Sequence, residues 1–413
     1  MVNNIVIVNA YGRSNRGDSV LLDECISEIR VSINKAKISG AVFEGVETLH
    51  AVHPNIDWSE RIGNAKKKGL IGRSLAVIYI IISIISTISI FEFLINLLPK
   101  SQKITWLKIK KSDMVVSAPG GYIHDTNFAF YIALLHIWLG IKFGKKVVLA
   151  PQSIGPIDSK IGKFISKSIL KKCTVICARE SYTYNFLKND LHINDKIIKK
   201  TGDSAFWNFE VSNDFDEISD AKNYIGLNSI QKNIFGLTVV DWNFPKSTIS
   251  HTLLDNYKKN IIHIIDYFSF KYDLQTVIFN QVSDDLDLAK SIADGCKSQV
   301  LVDDISREPH ILRALISEST VFLGTRFHSC IFSMMAGRPT YAIAYLPKTS
   351  FILDDLNLLH RQISIDNVDV EKVIEQIEFD LNNLSFSECE ILNAIETYRK
   401  NYSRLSDILR GII

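Results

Sequence analysis

Residues 321–345 read VFLGTRFHSCIFSMMAGRPTYAIAY. The uninterrupted apolar run Val321–Gly324 predicts a strand, the stretch His328–Ala336 a helix, and Thr340–Ala344 a second apolar strand. Strands with no polar face, separated by a helix, belong to a parallel sheet covered on both sides. The turn between the first strand and the helix, Thr325-Arg326-Phe327-His328-Ser329, is polar and cationic.

The same alternation recurs on either side. Further strands are expected at Ile234–Val240, Gln275–Phe279 and Val300–Asp303, with helices at Ser250–Phe268, Asp284–Cys296 and Ile311–Glu318. Nearer the N-terminus the strands are Ile5–Asn9, Ile38–Phe43, Met114–Ala118, Lys146–Ala150, Val175–Ala178 and Ile197–Thr201. Helices fit at Asp18–Ile33, Asn127–Phe143, Lys160–Lys171 and Ser181–Asn189. The polar, acidic and Asn-rich stretch 211–232 interrupts the series and is expected to be a linker.

The predicted architecture is therefore α/β: two doubly wound Rossmann-like domains facing a cleft. The first covers 1–210, with an insert at 61–111, and the second 233–385. Helices at Asp369–Leu381 and Glu388–Ile408 close the chain, with 386–413 as a C-terminal helix. A chain of 413 residues suits two domains, because a single core stops growing at roughly 250–300 residues. No internal repeat of solenoid length is present.

Charge divides the chain unevenly. The balance is 47 Lys+Arg against 45 Asp+Glu, or +2, which argues against a nucleic-acid partner. Within 61–111, however, ten cations (Arg61, Lys66, Lys67, Lys68, Arg73, Lys100, Lys103, Lys108, Lys110 and Lys111) meet one acid, Glu92. That segment carries +9 and leaves the rest at −7. Inside it, Ser74–Phe91 is 18 residues without a charge, and the apolar character extends to 98. Such a length suits a transmembrane span. One crossing would put strands of a single sheet on opposite sides of a bilayer, so a membrane-associating helix, in-plane or re-entrant, is expected instead, with a buried core helix or an oligomer contact as the alternatives. Six scattered cysteines without a CxxC pair read as reduced thiols, and the N-terminus carries no secretory signal pattern. The expected location is cytoplasmic, peripheral to the inner face of the cell membrane.

Ligands of doubly wound sheets sit beyond the carboxyl ends of the strands. After the first strand comes Asn15-Arg16-Gly17-Asp18-Ser19, opening a helix whose free N–H groups suit an anion; Asp18 or Ser19 equally suits an N-cap. Pro119-Gly120-Gly121-Tyr122-Ile123-His124-Asp125 follows another strand, where paired glycines allow a ligand close approach or make a tight turn. Arg179 follows a third, and Asp203 closes the domain as a helix cap or a substrate contact. In the second domain Arg326 and His328 stand at a helix N-terminus, and Lys348 projects from the neighbouring loop. An arginine and a lysine beside a helix dipole suit a carboxylate–phosphate compound, and His328 suits proton transfer at neutral pH.

The ordered segments NRGDS, GGYIHD, PQSIGP, ARESYTY, TGDSAFW and GTRFHSCIFSMMAGRPTYAIAY resemble those of the polysaccharide pyruvyl transferases, most closely the colanic-acid-type exopolysaccharide branch. The resemblance implies a GT-B-like fold and phosphoenolpyruvate as donor substrate, with no cofactor and no metal. It implies a donor site of Arg179, Arg326, His328 and Lys348, with Asn15, Gly17, Asp18, Gly120, Gly121 and Asp125 on loops that face donor or acceptor. The acceptor implied is a glycan, lipid-linked or polymeric, and the product a ketal. A nucleotide-sugar glycosyltransferase of GT-B type and a non-catalytic membrane-docked scaffold are the rival readings.

Overall fold

The computed structural model of the protein describes residues 2–65, 69–207, 215–229, 232–245 and 247–412. The chain divides into two compact units. Unit 1 comprises Met1–Arg13, Asp18–Ser204 and Tyr402–Ile413; unit 2 comprises Ser14–Gly17 and Ala205–Asn401.

Unit 1 holds eight strands: β1 (Asn4–Ala10), β2 (Lys37–Val42), β3 (Asp57–Glu60), β4 (Met114–Ser117), β5 (Gly120–Ile123), β6 (Lys146–Ile154), β7 (Val175–Ala178) and β8 (Ile198–Lys200). They lie in the order β3-β2-β1-β4-β6-β7-β8, with β5 alongside β6, and every pairing is parallel. The connecting helices are α1 (Arg16–Ser32), α2 (Val46–Val52), α3 (Gly69–Ile85), α4 (Lys100–Lys111), α5 (Ala129–Lys142), α6 (Lys160–Leu170) and α7 (Ser181–Asn185). Side chains alternate across a strand, and β1 uses both of its faces. Val6 and Val8 join the core under α5, with Leu134 and Leu135, while Ile5 and Ile7 join that under α1, with Leu22, Ile26 and Ile29.

Unit 2 begins, within the described residues, with α8 (Phe215–Ile225). It then alternates β9 (Ile234–Thr238), α9 (Ser250–Tyr272), β10 (Gln275–Ile278), α10 (Leu286–Gly295), β11 (Val300–Val302), α11 (Pro309–Ile316) and β12 (Val321–Gly324). The series continues with α12 (Phe327–Met335), β13 (Thr340–Ala344), α13 (Pro347–Asp355), β14 (Gln362–Ser364), α14 (Val370–Asn382) and α15 (Leu384–Asn401). The sheet order is β11-β10-β9-β12-β13-β14, again all parallel. This is the doubly wound order that reverses between its first and fourth strands. The reversal falls between β1 and β4 in unit 1 and between β9 and β12 in unit 2, and the crevice at each lies beyond the strand carboxyl ends.

Three expectations change. The stretch 211–232, read as a linker, lies partly outside the described residues; the described part contains α8, which buries Ile218, Ala221 and Ile225. Its acidic positions occupy the exposed face of that amphipathic helix. The expected helix Glu388–Ile408 ends at Asn401, and a separate helix α16 (Leu405–Ile412) belongs to unit 1, where Leu405 and Leu409 enter the α1-side core.

The third change concerns the apolar insert. No helix among the described residues is long and apolar enough to cross a membrane. α3 stops at Ile85, and a 3-10 helix, Ser89–Leu97, follows it. Hydroxyl groups help to end α3: Ser83 Oγ donates to the Tyr79 carbonyl and Thr87 Oγ1 to that of Ile84. The indole of Trp106, fully buried, donates to the carbonyl of Ser83 at 3.1 Å. Of the ten insert cations, Lys66, Lys67 and Lys68 lie outside the described residues. Arg61 is buried over the Phe43 ring at 4.0 Å, and burial lowers its pKa.

Candidate functional site

In unit 2 the ends of β9, β10 and β12 meet at one carboxylate. Asp285, 4% exposed, accepts from Arg326 Nε at 2.6 Å and Nη2 at 2.8 Å, and from the backbone N–H of Asp241 at 3.0 Å. Arg326 Nη1 reaches the Tyr345 hydroxyl at 3.4 Å. Burial, the largest single influence, lowers the pKa of this guanidinium; the hydrogen bonds and charges of Asp285 and Tyr345 together outweigh it and raise the pKa above the usual arginine value. Arg326 is thus a fixed cation with one edge occupied by Asp285 and its Nη1 edge turned toward Tyr345. It caps α12, which starts at the next residue.

His328 occupies the first turn of α12 and is buried. Its ring lies against Gly17, where an added Cβ would come within 2.0 Å of His328 Nδ1. Glycine at 17 is therefore a steric requirement of the imidazole's position. The Asn15 carboxamide completes this cluster. Asn15 Oδ1 accepts from the Gly17 N–H at 2.9 Å and from Gln281 Nε2 at 3.2 Å, while Gln281 Oε1 accepts from the Ser329 N–H and hydroxyl at 3.1 and 2.6 Å. Arg16 donates to the Ser306 carbonyl and hydroxyl at 3.2 and 2.9 Å. The predicted residues Asn15, Gly17 and His328 therefore come together within unit 2. Lys348, half-buried, opens α13 just beyond β13.

The remaining candidates lie in unit 1. Arg179, 1% exposed, forms a close ion pair with Asp203, which is fully buried. A buried pair of this kind ties the end of β7 to the segment after β8, and removing either partner would strand a charge. Gly120 sits at φ 151°, a backbone region that favours glycine, whereas Gly121 has its Cβ position clear to 3.5 Å. Asp125 accepts from the backbone N–H groups of Asp158 at 3.0 Å and Ser159 at 2.8 Å, so it organises the turn into α6. Desolvation opposes its ionisation, yet the hydrogen bonds from Ser159 and Asp158 leave its pKa below the ordinary aspartate value. Asp18 stands in the first turn of α1, and its charge contributes to raising the Tyr11 pKa, behind burial as the larger cause.

Sequence reasoning passed over several buried polar groups. In unit 1, Asn9 Nδ2 donates to Ser117 Oγ at 3.0 Å, Ser117 meets the Tyr122 hydroxyl at 2.9 Å, and Gln152 Nε2 donates to that hydroxyl at 2.9 Å. This chain runs across the ends of β1, β4, β5 and β6. Glu180, also buried, accepts from Ser153 Oγ at 2.8 Å and from Thr183 Oγ1. In unit 2 the missed residues are Asp285, Gln281 and Tyr345. These three sit one to six residues beyond a predicted strand end, and that position was the available signal.

The family model for polysaccharide pyruvyl transferase matches residues 51–347, or 297 of the 413. No curated protein matches the sequence. Among solved structures, the UDP-GlcNAc 2-epimerase from Neisseria meningitidis bound to UDP-GlcNAc is similar at a TM-score of 0.61 and 13% identity, over 99% of this chain and 98% of that one. The putative UDP-N-acetylglucosamine 2-epimerase from Listeria monocytogenes gives 0.60 and 10%, over 100% and 95%. A glycosyltransferase from Rickettsia africae gives 0.59 and 11%, over 100% and 97%. At identities this low the structural similarity shows a shared GT-B-like fold alone.

Proposed function

The chain belongs to the polysaccharide pyruvyl transferase family, and we propose that it transfers pyruvyl from phosphoenolpyruvate to a sugar of a lipid-linked or polymeric cell-surface polysaccharide, forming a ketal. The observation that carries this reading is a half-buried, permanently charged Arg326 two residues before the buried His328, beyond the end of β12 at the reversal point of unit 2. An anionic donor bearing both carboxylate and phosphate suits a fixed cation and a helix N-terminus, and its methylene carbon needs a proton.

His328 delivers a proton to the methylene carbon of phosphoenolpyruvate, or takes one from the attacking sugar hydroxyl. Protonation leaves positive character on the former enol carbon, which the hydroxyl oxygen attacks. The bond from that carbon to the phosphate oxygen then breaks, inorganic phosphate leaves, and a second sugar hydroxyl closes the ketal as it loses its proton. One phosphoenolpyruvate and one diol thus give one ketal and one phosphate. Arg326 holds the donor's anionic groups by its Nη1 edge, and Lys348 stabilises the departing phosphate. Asp285 is a positioning residue for Arg326, as Gly17 is for His328.

The reading gives Arg179 an anion-holding role that competes with its ion pair to Asp203. Arg179→Lys separates the two: a lost donor contact raises KM for phosphoenolpyruvate, whereas a purely structural pair lowers thermal stability and leaves KM unchanged. For the central residue, His328→Ala is expected to lower phosphate release from phosphoenolpyruvate by about 10²–10⁴-fold, the usual weight of a positioned acid–base group, with the far-UV circular dichroism unchanged. Near-normal release would remove His328 from the chemistry.

A further inference from the structure

The helix α3 wears its polarity inside out. Its small and hydroxylic residues Gly72, Ala76 and Ser83 are buried, while Leu70, Val77 and Ile81 face solvent. The exposed apolar face continues through the 3-10 helix packed beside it, where Ile90, Phe93 and Leu97 are exposed. Half of the exposed large apolar side chains among the described residues, 13 of 26, fall between 70 and 104, and Leu70 is 81% exposed. Single exposed apolar residues are ordinary; a continuous face of this size marks a contact with something apolar.

The charges around the face indicate what that something is. Arg73, Lys100 and Lys111 are exposed on the same insert, and its one acid, Glu92, is neutralised by Lys110 at 2.5 Å. Lys66, Lys67 and Lys68 directly precede α3 in the sequence. α5, which packs on α3 and α4, also packs on α6, and α6 repeats the combination with Ile161 and Phe164 exposed beside Lys160. A second copy of the chain, paired about a two-fold axis, would set these cations against themselves. An anionic lipid surface complements both the apolar face and its cationic border.

We infer that this side of unit 1 docks on an anionic bilayer, with α3 lying in the plane and its isoleucine face at the boundary between headgroups and acyl chains. In-plane seating follows from length, since 17 residues of helix span about 25 Å against a hydrocarbon core of about 30 Å, and from the 3-10 segment that follows. The inference stands on the surface of unit 1 alone and does not depend on the reaction.

The test floats the full chain with vesicles of equal parts phosphatidylglycerol and phosphatidylcholine, and with phosphatidylcholine alone. The expected result is at least tenfold stronger association with the anionic vesicles, weakened by salt. The double substitution Ile81→Glu with Phe93→Glu, both on the exposed face, is expected to reduce binding at least tenfold with the circular dichroism unchanged. Phe93→Trp, which keeps the face apolar, is expected to bind normally, with its emission shifted to the blue and quenched by brominated lipid. Failure to float, equal flotation of the glutamate variant, or an unquenched tryptophan overturns the inference. So does a dimer in sedimentation without lipid that the two glutamates disperse, which assigns the face to a second copy.

Discussion

Gly17 and His328 define one another's positions. A methyl group at 17 would fall 2.0 Å from the imidazole nitrogen, so Gly17→Ala must push the ring away. We expect the variant to fold, losing about 1–3 kcal/mol to overpacking, and to lose at least tenfold in kcat for phosphate release. Thermal denaturation with steady-state kinetics checks both. Asp285→Ala tests the second pair in unit 2. It would leave the half-buried Arg326, whose Nε and Nη2 hydrogen bonds both go to this carboxylate, without its counter-ion. Truncating one partner of such a pair costs about 3–5 kcal/mol; urea unfolding of Asp285→Ala measures it, with Asp285→Asn, which keeps the shape, expected to lose less. Arg326 and His328 were legible in the sequence because they directly follow an apolar strand and open a helix. Asp285 and Gln281 were not. They lie about forty or more residues away from Arg326 and His328, and only the sheet order, which puts β9 between β10 and β12, brings them to the site.

At the scale of elements, α5 is tied to the loop after β3 through a buried histidine. His136 Nε2 accepts from the Ile62 N–H at 3.0 Å, and its Nδ1 side meets the Ile132 carbonyl at 2.8 Å. Burial pushes its pKa down to about 4, from an ordinary value near 6.5. The unfolded chain therefore binds a proton that the folded chain refuses between these values, so stability falls as pH drops from about 6.5 toward 4. The shift corresponds to a loss on the order of 3 kcal/mol at one site. Urea unfolding at pH 7 and pH 5 should show the decline, and a variant lacking the imidazole, His136→Gln, should show a shallower one. Central strands were legible because two-sided burial makes them continuous apolar runs: β1, β4, β7, β9, β12 and β13 follow the sequence pattern closely. β3, which reads DWSE, and β14, which reads QIS, are edge strands with less to bury, and nothing in their composition announces them. The break in the apolar run after Ile85 was hidden for the opposite reason. Its serines and threonine look compatible with a continuous helix until their hydroxyls are seen bonding back to its carbonyls.

For the whole molecule, the two-unit α/β plan follows from pattern alone, but the path of the chain end does not. α16 returns to unit 1, where the Ser406 N–H donates to Glu28 Oε2 at 2.7 Å and Arg404 pairs with the same carboxylate. The link joins residues 378 positions apart, a separation that local pattern cannot register. Deleting residues 402–413 is expected to lower the melting temperature by several degrees, because it uncovers the core around Leu22 and Ile26 and leaves Glu28 without these partners. Scanning calorimetry of the shortened chain checks this.

The proposed chemistry of the whole protein turns on one exchange, pyruvyl from phosphoenolpyruvate to sugar. The decisive measurement incubates the full chain with labelled phosphoenolpyruvate and membrane extract from its own source, following phosphate release and label on the glycan together. The account predicts that phosphate appears only with acceptor present, one for each acid-labile pyruvate gained by the glycan. Release of nucleotide from a sugar nucleotide, with phosphoenolpyruvate left intact, would contradict it.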